Sequence, residues 1–546
     1  MRSQKVSVEF AVVLAMFTLS LLATSARAAA QEVVVLHNFD TGTGDGKEPS
    51  GGVTFVGGTH LYGTTAEGGS GLGTVFELAE KGGVWNETIP YDSFSNTEGD
   101  LPSAHLLSHD GKLYGTTPDG GLGYGTVFEL TYTSGTGPGT GWNQTFSYSF
   151  TTGSTGLGAD GQYPGPNLIF ANGNIYGTTF EGGSNINCGT SGDGGSEGCG
   201  TVFQLAPVAG GGWTESVVYN FLGTYEVGGV TYFDAQGPVG IIFDEGEFYG
   251  TAGGGVNGEG RVFELNPTTW LETIVHDFTP NQGSNTDGAV PTVGLAVDTA
   301  HNLYGTTSQG GTNNAGVVFE LTSQTIRVGG KLQKVWTETP LHYFDSTVDG
   351  SEPSALIVDK NFNLYGTTGE GGPNYGGTAF ELPAGSTPSS PPLILYSFCD
   401  AYAEACTATD GQFPSSGLTF DTAYNLYGTT LEGGANGYGT VFAIILNNFA
   451  LSATPSTMSI EQGSGASSTI LVADVGSFAG TVKLTVSGLP RGVTASFTSS
   501  TITGNGASVL TLTASPTAKI QSKAVTITGT SGTLEQTATI TVNVTP

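Results

Sequence analysis

Basic side chains are scarce in this sequence: 15 Lys and Arg stand against 47 Asp and Glu, for a formal net charge of −32. Phosphate backbones need clustered cations, so nucleic acid is excluded as a partner and anionic membranes are disfavoured. Long apolar runs are also missing after the first 30 residues, and a bilayer span needs about 20 consecutive apolar residues. Cysteine is limited to four residues in two close pairs, Cys188 with Cys199 and Cys399 with Cys406. In an oxidising compartment such pairs predict two local disulfides, and with no histidine at short spacing they do not make a zinc site. There is no G-x-S-x-G elbow, no H-E-x-x-H helix and no phosphate-cradling loop before a helix, so no local motif announces catalysis.

The N-terminus indicates export. Arg2 and Lys5 precede an apolar run from Ala11 to Ala23, and Ser25, Ala26, Ala28 and Ala30 follow. That order is the signature of a secretory signal over residues 1–30, cleaved after Ala28 or Ala30. The alternative, an uncleaved anchor, is disfavoured because the apolar core is too short to span. The expected product is secreted or associated with the cell surface, without a membrane span, and monomeric. Glycine is abundant, 89 residues, yet 37% hydrophobic and 10% aromatic residues are enough for packed sheets, so the glycines read as turns and not as disorder.

Self-similarity is the strongest signal. The segment LYGTTAEGGSGLGTVFEL at 61–78 recurs as LYGTTPDGGLGYGTVFEL from Leu113, and the motif tyrosine stands at Tyr62, Tyr114, Tyr176, Tyr249, Tyr304, Tyr365 and Tyr427. A second alternating segment opens with tryptophan and ends with phenylalanine in five copies, from Trp85, Trp142, Trp213, Trp270 and Trp336, while the segment from Leu393 to Phe398 lacks the tryptophan. An Asp-Gly-x-x-Pro turn and a short apolar run complete each unit as four strands, called A (the apolar run), B (LYGTT), C (TVFEL) and D (the Trp-to-Phe segment). The seventh unit has no D after Phe442, whereas Val33 to Phe39 is a D-like strand placed before the first unit. This predicts an all-β, seven-bladed propeller over residues 31–446, closed by the N-terminal strand, since closure removes exposed sheet edges. An open β-solenoid is the alternative, and it leaves that first strand unexplained.

From Asn448 onward Thr, Ser and Val rise and aromatics nearly vanish. Alternating runs such as VKLTVSGL and ATITVNV predict an immunoglobulin-like β-sandwich over residues 447–546, held without a disulfide. It is expected to serve as a spacer or surface-attachment module, with glycan or protein adhesion as the alternative.

The LYGTT, EGG, GTVFEL and DGxxP elements resemble the tandem GloVer repeat of exported bacterial proteins, described as choice-of-anchor because varied C-terminal attachment modules follow the repeats. The resemblance covers Val33 to about Phe442 and implies no catalytic residues. No sorting tail precedes Pro546, so covalent attachment is not expected.

Strand alternation puts the D–A and B–C loops on one face. The D–A loops carry Asp45, Asp160, Asp234, Asp287, Asp349 and Asp410, and the B–C loops carry Glu67, Asp119, Glu181, Glu370 and Glu432. Such a carboxylate ring suits Ca²⁺, with Asp45, Asp287 and Asp349 as candidate ligands, although no motif requires a cofactor. The competing reading is that aspartate before glycine simply builds the turn. Residues that break the repeat are better ligand candidates: Tyr124, Tyr163, Tyr232, Tyr375, Phe413 and Tyr438 beside Asp160, Asp234 and Asp410, with Tyr225 and Phe233 in the variant fourth unit. Aromatic platforms beside acids suit sugar rings. His37, His276 and His342 lie on D strands and read as structural; His60, His105, His109 and His301 are expected at A–B turns on the opposite face. The VFEL glutamates read as hydrogen-bonding groups. The leading expectation is a non-enzymatic protein that binds an extracellular glycan or protein. A carbohydrate hydrolase or lyase using the same carboxylates, or a structural envelope or biofilm repeat, are the alternatives.

Overall fold

The computed structural model describes residues 32–546 except 41, 43, 70, 82–83, 93, 96, 98, 133–141, 152–159, 185–187, 189–197, 228–229, 280–286, 292, 330, 401–408, 415, 423, 447, 476–477, 479 and 532–533. The expected signal segment and Cys406 lie outside the described residues. Among the described residues there is no helix, hence none able to cross a membrane. The chain forms two units, one of Val35–Asp421 with Tyr427–Ala443 and one that includes Ile444–Pro546.

The first unit contains seven antiparallel sheets, one per repeat, each with the strand order A-B-C-D. Sheet 1, for example, is Thr54–Val56, His60–Thr65, Thr74–Lys81 and Val84–Tyr91. Sheet 7 takes A, B and C from Thr419–Phe420, Leu426–Thr430 and Thr440–Ile445, and its D strand is Glu32–Asn38. The displaced N-terminal strand therefore pairs where the repeat count requires it.

The motif has a steric logic. Within each sheet the LYGTT glycine faces the VFEL phenylalanine; a Cβ on Gly63 would stand 2.4 Å from the Phe76 ring, and one on Gly115 2.4 Å from Phe128. Only glycine leaves the ring flat against the neighbouring strand. That phenylalanine also meets the terminal phenylalanine of the preceding D strand, edge to face, as in Phe94–Phe128 and Phe278–Phe319, both at 5.3 Å. The first LYGTT threonine bonds forward to the next sheet, Thr64 to the Ala104 carbonyl at 3.0 Å and Thr367 to Ser416 at 3.1 Å. Each seam thus carries a ring ladder inside and a hydroxyl tie beside it. The succession returns to its start: Thr429 bonds the Gly51 carbonyl, Phe39 meets Phe76 at 5.2 Å, and Tyr427 meets Trp85 of sheet 1.

The second unit has two sheets, a four-stranded one and a five-stranded one in which Thr457–Glu461 and Leu534–Thr545 pair in parallel. One apolar core fills it, including Ile470, Val472, Leu510, Leu512, Val525 and Ile540, all fully buried.

Candidate functional site

The D–A aspartates sit in the seams. Each of six meets the His or Tyr that stands two residues before the terminal phenylalanine of the preceding D segment: Tyr148 donates to Asp160, Tyr219 to Asp234 and Tyr396 to Asp410, while His37, His276 and His342 face Asp45, Asp287 and Asp349. A third acid enters from the next D strand in several copies. Glu215 also accepts from Tyr148 at 3.2 Å, Glu272 accepts from Tyr219 at 3.3 Å, and Glu87 lies 3.5 Å from His37. Burial pushes these glutamates up, Glu215 to about 7, Glu272 to about 8, Glu338 to about 8 and Glu87 to about 9, and the neighbouring aspartate adds to each shift. Asp45 and Asp287 move the other way: burial opposes their ionisation, but His37 and His276 outweigh it and hold them below the usual range. Asp234, Asp287 and Asp349 are buried.

The three aspartates assigned to calcium are those with histidine partners. One imidazole with two carboxylates, as in His37, Asp45 and Glu87, is a donor set for a zinc-like ion more than for Ca²⁺, which takes oxygen ligands. A second group, Asp244, Glu245 and His301, has its histidine already bonded to Asp244 at 3.0 Å.

The loop acids are engaged too. Gln162 bonds Glu181 at 2.7 Å and Gln412 bonds Glu432 at 2.9 Å, tying each D–A turn to its own B–C loop.

The residue before the proline of each DGxxP-type turn is left-handed in all seven copies: Glu48, Leu101, Tyr163, Gly237, Val290, Glu352 and Phe413, at φ 55° or more. An α-left residue before proline is sterically disfavoured, so the surroundings must impose it. A backbone bond from the preceding sheet does so. Tyr163 N–H donates to the Tyr124 carbonyl at 3.1 Å, Val290 to Glu259 at 2.7 Å and Phe413 to Gly376 at 2.9 Å. The proline then packs on the glycine before the preceding C strand, Pro164 on Gly125 and Pro291 on Gly260. One backbone shape therefore recurs seven times on the face of the D–A and B–C loops with six different residue types. Tyr163 and Val290 are exposed, and Phe413 is half-buried.

Among the other aromatics, Tyr375 opens strand Tyr375–Leu382 instead of lying in a loop and is 59% exposed. Tyr124 packs against the core between sheets 2 and 3, and Tyr438 is half-buried under Lys47. Tyr225 and Tyr232 are cross-strand neighbours on an added hairpin, Thr224–Val227 with Val230–Phe233, where a loop was expected. Cys188 and Cys199 form a disulfide, and Cys399 is also disulfide-bonded.

Two features escaped sequence reasoning. Arg261 replaces the threonine of GTVFEL in the fourth copy and is 1% exposed, bonded to Asp277 at 2.7 Å and facing Asp234 and Glu272. The broken motif GRVFEL was the available signal. His105 is not at an A–B turn on the far face: its Nε2 lies 3.0 Å from the Val53 carbonyl, and it lines a cavity of about 130 Å³ to which all seven repeats contribute. The reason is that His105 precedes strand Leu107–His109 and bridges to Asn167, just before strand Ile169–Ala171 of sheet 3.

The Gloeobacter/Verrucomicrobia repeat matches this chain over residues 23–190, 187–406 and 282–487. No curated protein matches it. Among solved structures, a polysaccharide lyase described as a PL25 ulvan lyase aligns at TM-score 0.41 and 10% identity, over 82% of this chain and 96% of that one. One of two prolyl endopeptidases aligns at 0.36 and 10%, over 83% and 56%. The Bacteroides ovatus xyloglucan-locus protein GH43B aligns at 0.26 and 12%, over 93% and 92%. Likenesses this distant do not bear on activity.

Proposed function

The chain belongs to the Gloeobacter/Verrucomicrobia repeat family, and on that premise we propose that its first unit is a seven-bladed β-propeller, its second an immunoglobulin-like sandwich, and the whole an exported protein that binds an extracellular glycan or protein. The seven sheets with return contacts between the last and the first support the propeller. The shared core of two sheets supports the sandwich.

The observation that carries the binding reading is the ring of left-handed residues before proline. A position with one enforced backbone shape and seven copies, holding Glu, Leu, Tyr, Gly, Val, Glu and Phe, fixes where side chains point while leaving their chemistry free. That is what a recognition surface needs. Tyr163 and Phe413 supply stacking faces there, and Glu48 and Glu352 supply acceptors for sugar hydroxyls. The seam acids, by contrast, are engaged with tyrosine and histidine.

A hydrolase or lyase is the second reading, favoured by the Asp160 and Glu215 pair, whose glutamate titrates near 7 as a general acid should. The same arrangement recurs at Asp234 with Glu272, which points to architecture. A glycan array with the mature chain, with and without Ca²⁺, run beside a reducing-sugar release assay, separates the readings. Binding without release is expected; sugar release overturns the binding reading in favour of catalysis, and neither leaves a structural role.

A further inference from the structure

Six of the seven motif tyrosines have an aromatic ring packed against them from the next sheet. Trp142 meets Tyr62 at 5.6 Å, Trp213 meets Tyr114 at 5.9 Å, Trp270 meets Tyr176 at 6.1 Å, Trp336 meets Tyr249 at 5.7 Å and Trp85 meets Tyr427 at 6.1 Å. Tyr365 has Phe420 at 5.5 Å instead. Tyr304 has no such partner among the described residues, because the sixth D strand, Leu393–Cys399, carries no tryptophan. In its place is an open cavity of about 370 Å³.

The cavity is shaped like the missing side chain's surroundings. Tyr304 forms one wall, with apolar surface from Leu341, Phe362, Leu364 and Leu382. Asp298 and Glu320 lie at its polar end, both accepting from the Tyr304 hydroxyl, at 2.9 and 3.0 Å. The tryptophans meet the tyrosines edge-on or tilted, and in the seam between the second and third sheets the tryptophan also bonds: Trp213 Nε1 donates to Glu129 at 2.8 Å, and Glu129 holds in its sheet the VFEL position that Glu320 holds here. An N–H donor reaching that position therefore has a carboxylate acceptor waiting. The volume lies at the lower end of the roughly 300–1,000 Å³ usual for small-molecule sites.

We infer that the seam between the fifth and sixth sheets is a binding site for a small indole-like ligand, a planar ring with an N–H donor that packs edge-on against Tyr304 and bonds Glu320. Two carboxylates at the polar end favour a cationic substituent and reject an anionic one. This site lies at A–B turns and a C–D loop, away from the face of the D–A and B–C loops, so it stands or falls independently of the glycan-binding reading.

The test titrates the intact purified chain with indole, tryptamine and indole-3-acetate by calorimetry, with cyclohexanol as a non-aromatic control. Saturable binding of indole is expected, at least fivefold tighter for tryptamine and at least tenfold weaker for indole-3-acetate. Tyr304→Leu should lose tenfold or more. Ser390→Trp places a tryptophan six residues before Tyr396, the register at which Trp213 precedes Tyr219 and Trp336 precedes His342. It should weaken tryptamine binding tenfold or more and raise the melting temperature, a readout that an unfolded variant cannot mimic. Absence of saturable binding to the natural chain overturns the inference. So does binding that both substitutions leave unchanged, or affinity for cyclohexanol equal to that for indole.

Discussion

The Thr429 hydroxyl donates to the Gly51 carbonyl at 3.0 Å across 378 residues of sequence, repeating the tie that Thr64 makes to Ala104 only 40 residues away. The bond is the same local device used at the other seams, but here it closes the set. Phe39, fully buried against Phe76, is its apolar counterpart. Phe39→Ala should cost about 3–5 kcal/mol, and Thr429→Val about 1 kcal/mol, in urea unfolding followed by tryptophan fluorescence. Deleting residues 32–38 should in addition cause concentration-dependent association, because strand Thr440–Ile445 is left as an open edge.

The glycine and phenylalanine of one motif should behave as a coupled pair. Gly63→Ala puts a methyl 2.4 Å from the Phe76 ring, an overpacking that costs about 1–3 kcal/mol. In a Phe76→Leu background the same change should cost at least 0.5 kcal/mol less or more than in the natural chain, a non-additivity typical of touching residues. Strict additivity in the double-mutant cycle counts against the steric account of the motif.

Arg261 neutralises acids that its sheet has gathered. Arg261→Thr restores the threonine that five of the other six copies carry yet leaves Asp277, Asp234 and Glu272 without their cation. Breaking a buried ion cluster in this way costs about 3–5 kcal/mol. Differential scanning calorimetry should show a large loss, partly recovered by Asp277→Asn.

Stability should fall as the solution becomes alkaline. Glu215 titrates near 7 and Glu338 near 8 in the folded chain, against 4.5 for an unburied glutamate. Between 4.5 and those values the folded chain holds protons that the unfolded chain has released, so raising pH favours unfolding. The melting temperature should therefore decline from pH 5 to pH 9, and Glu215→Gln with Glu338→Gln should flatten the decline.

Tyr163→Gly removes an exposed ring at φ 55°. Glycine adopts that backbone freely, so the melting temperature should hold or rise while glycan affinity drops about tenfold, some 1.4 kcal/mol. A melting loss of several degrees tells against a purely recognising role for this side chain.

What could be read beforehand was whatever recurs. LYGTT, GTVFEL and the Trp-to-Phe segment return seven, seven and nearly seven times, so strand number, order and the borrowed D strand followed from counting. Side-chain destinations were harder. Asp45 and Asp287 looked like members of a solvent-facing ring because turn position specifies the face and not the depth, and depth depends on a His or Tyr from one sheet and a Glu from another. His105 was misplaced because a residue just before a three-residue strand can turn to the centre as readily as outward. Arg261 was visible as a broken motif, but its partners come from two places, Glu272 and Asp277 from the D strand of its own sheet and Asp234 with the Phe233 carbonyl from the end of a hairpin whose alternation was hidden by two glycines. The cavity beside Tyr304 could not be seen at all without knowing which ring each tryptophan meets.

The position of the closing strand also sets a schedule. Phe39 accepts from Asn436, 397 residues later, and ribosomes add roughly 5–20 residues per second. Glu32–Asn38 is thus born roughly 20–80 seconds before the strand it joins, a wait during which its unsatisfied amides and carbonyls need a chaperone, an unfolded passage through a translocon, or some other guardian against premature pairing.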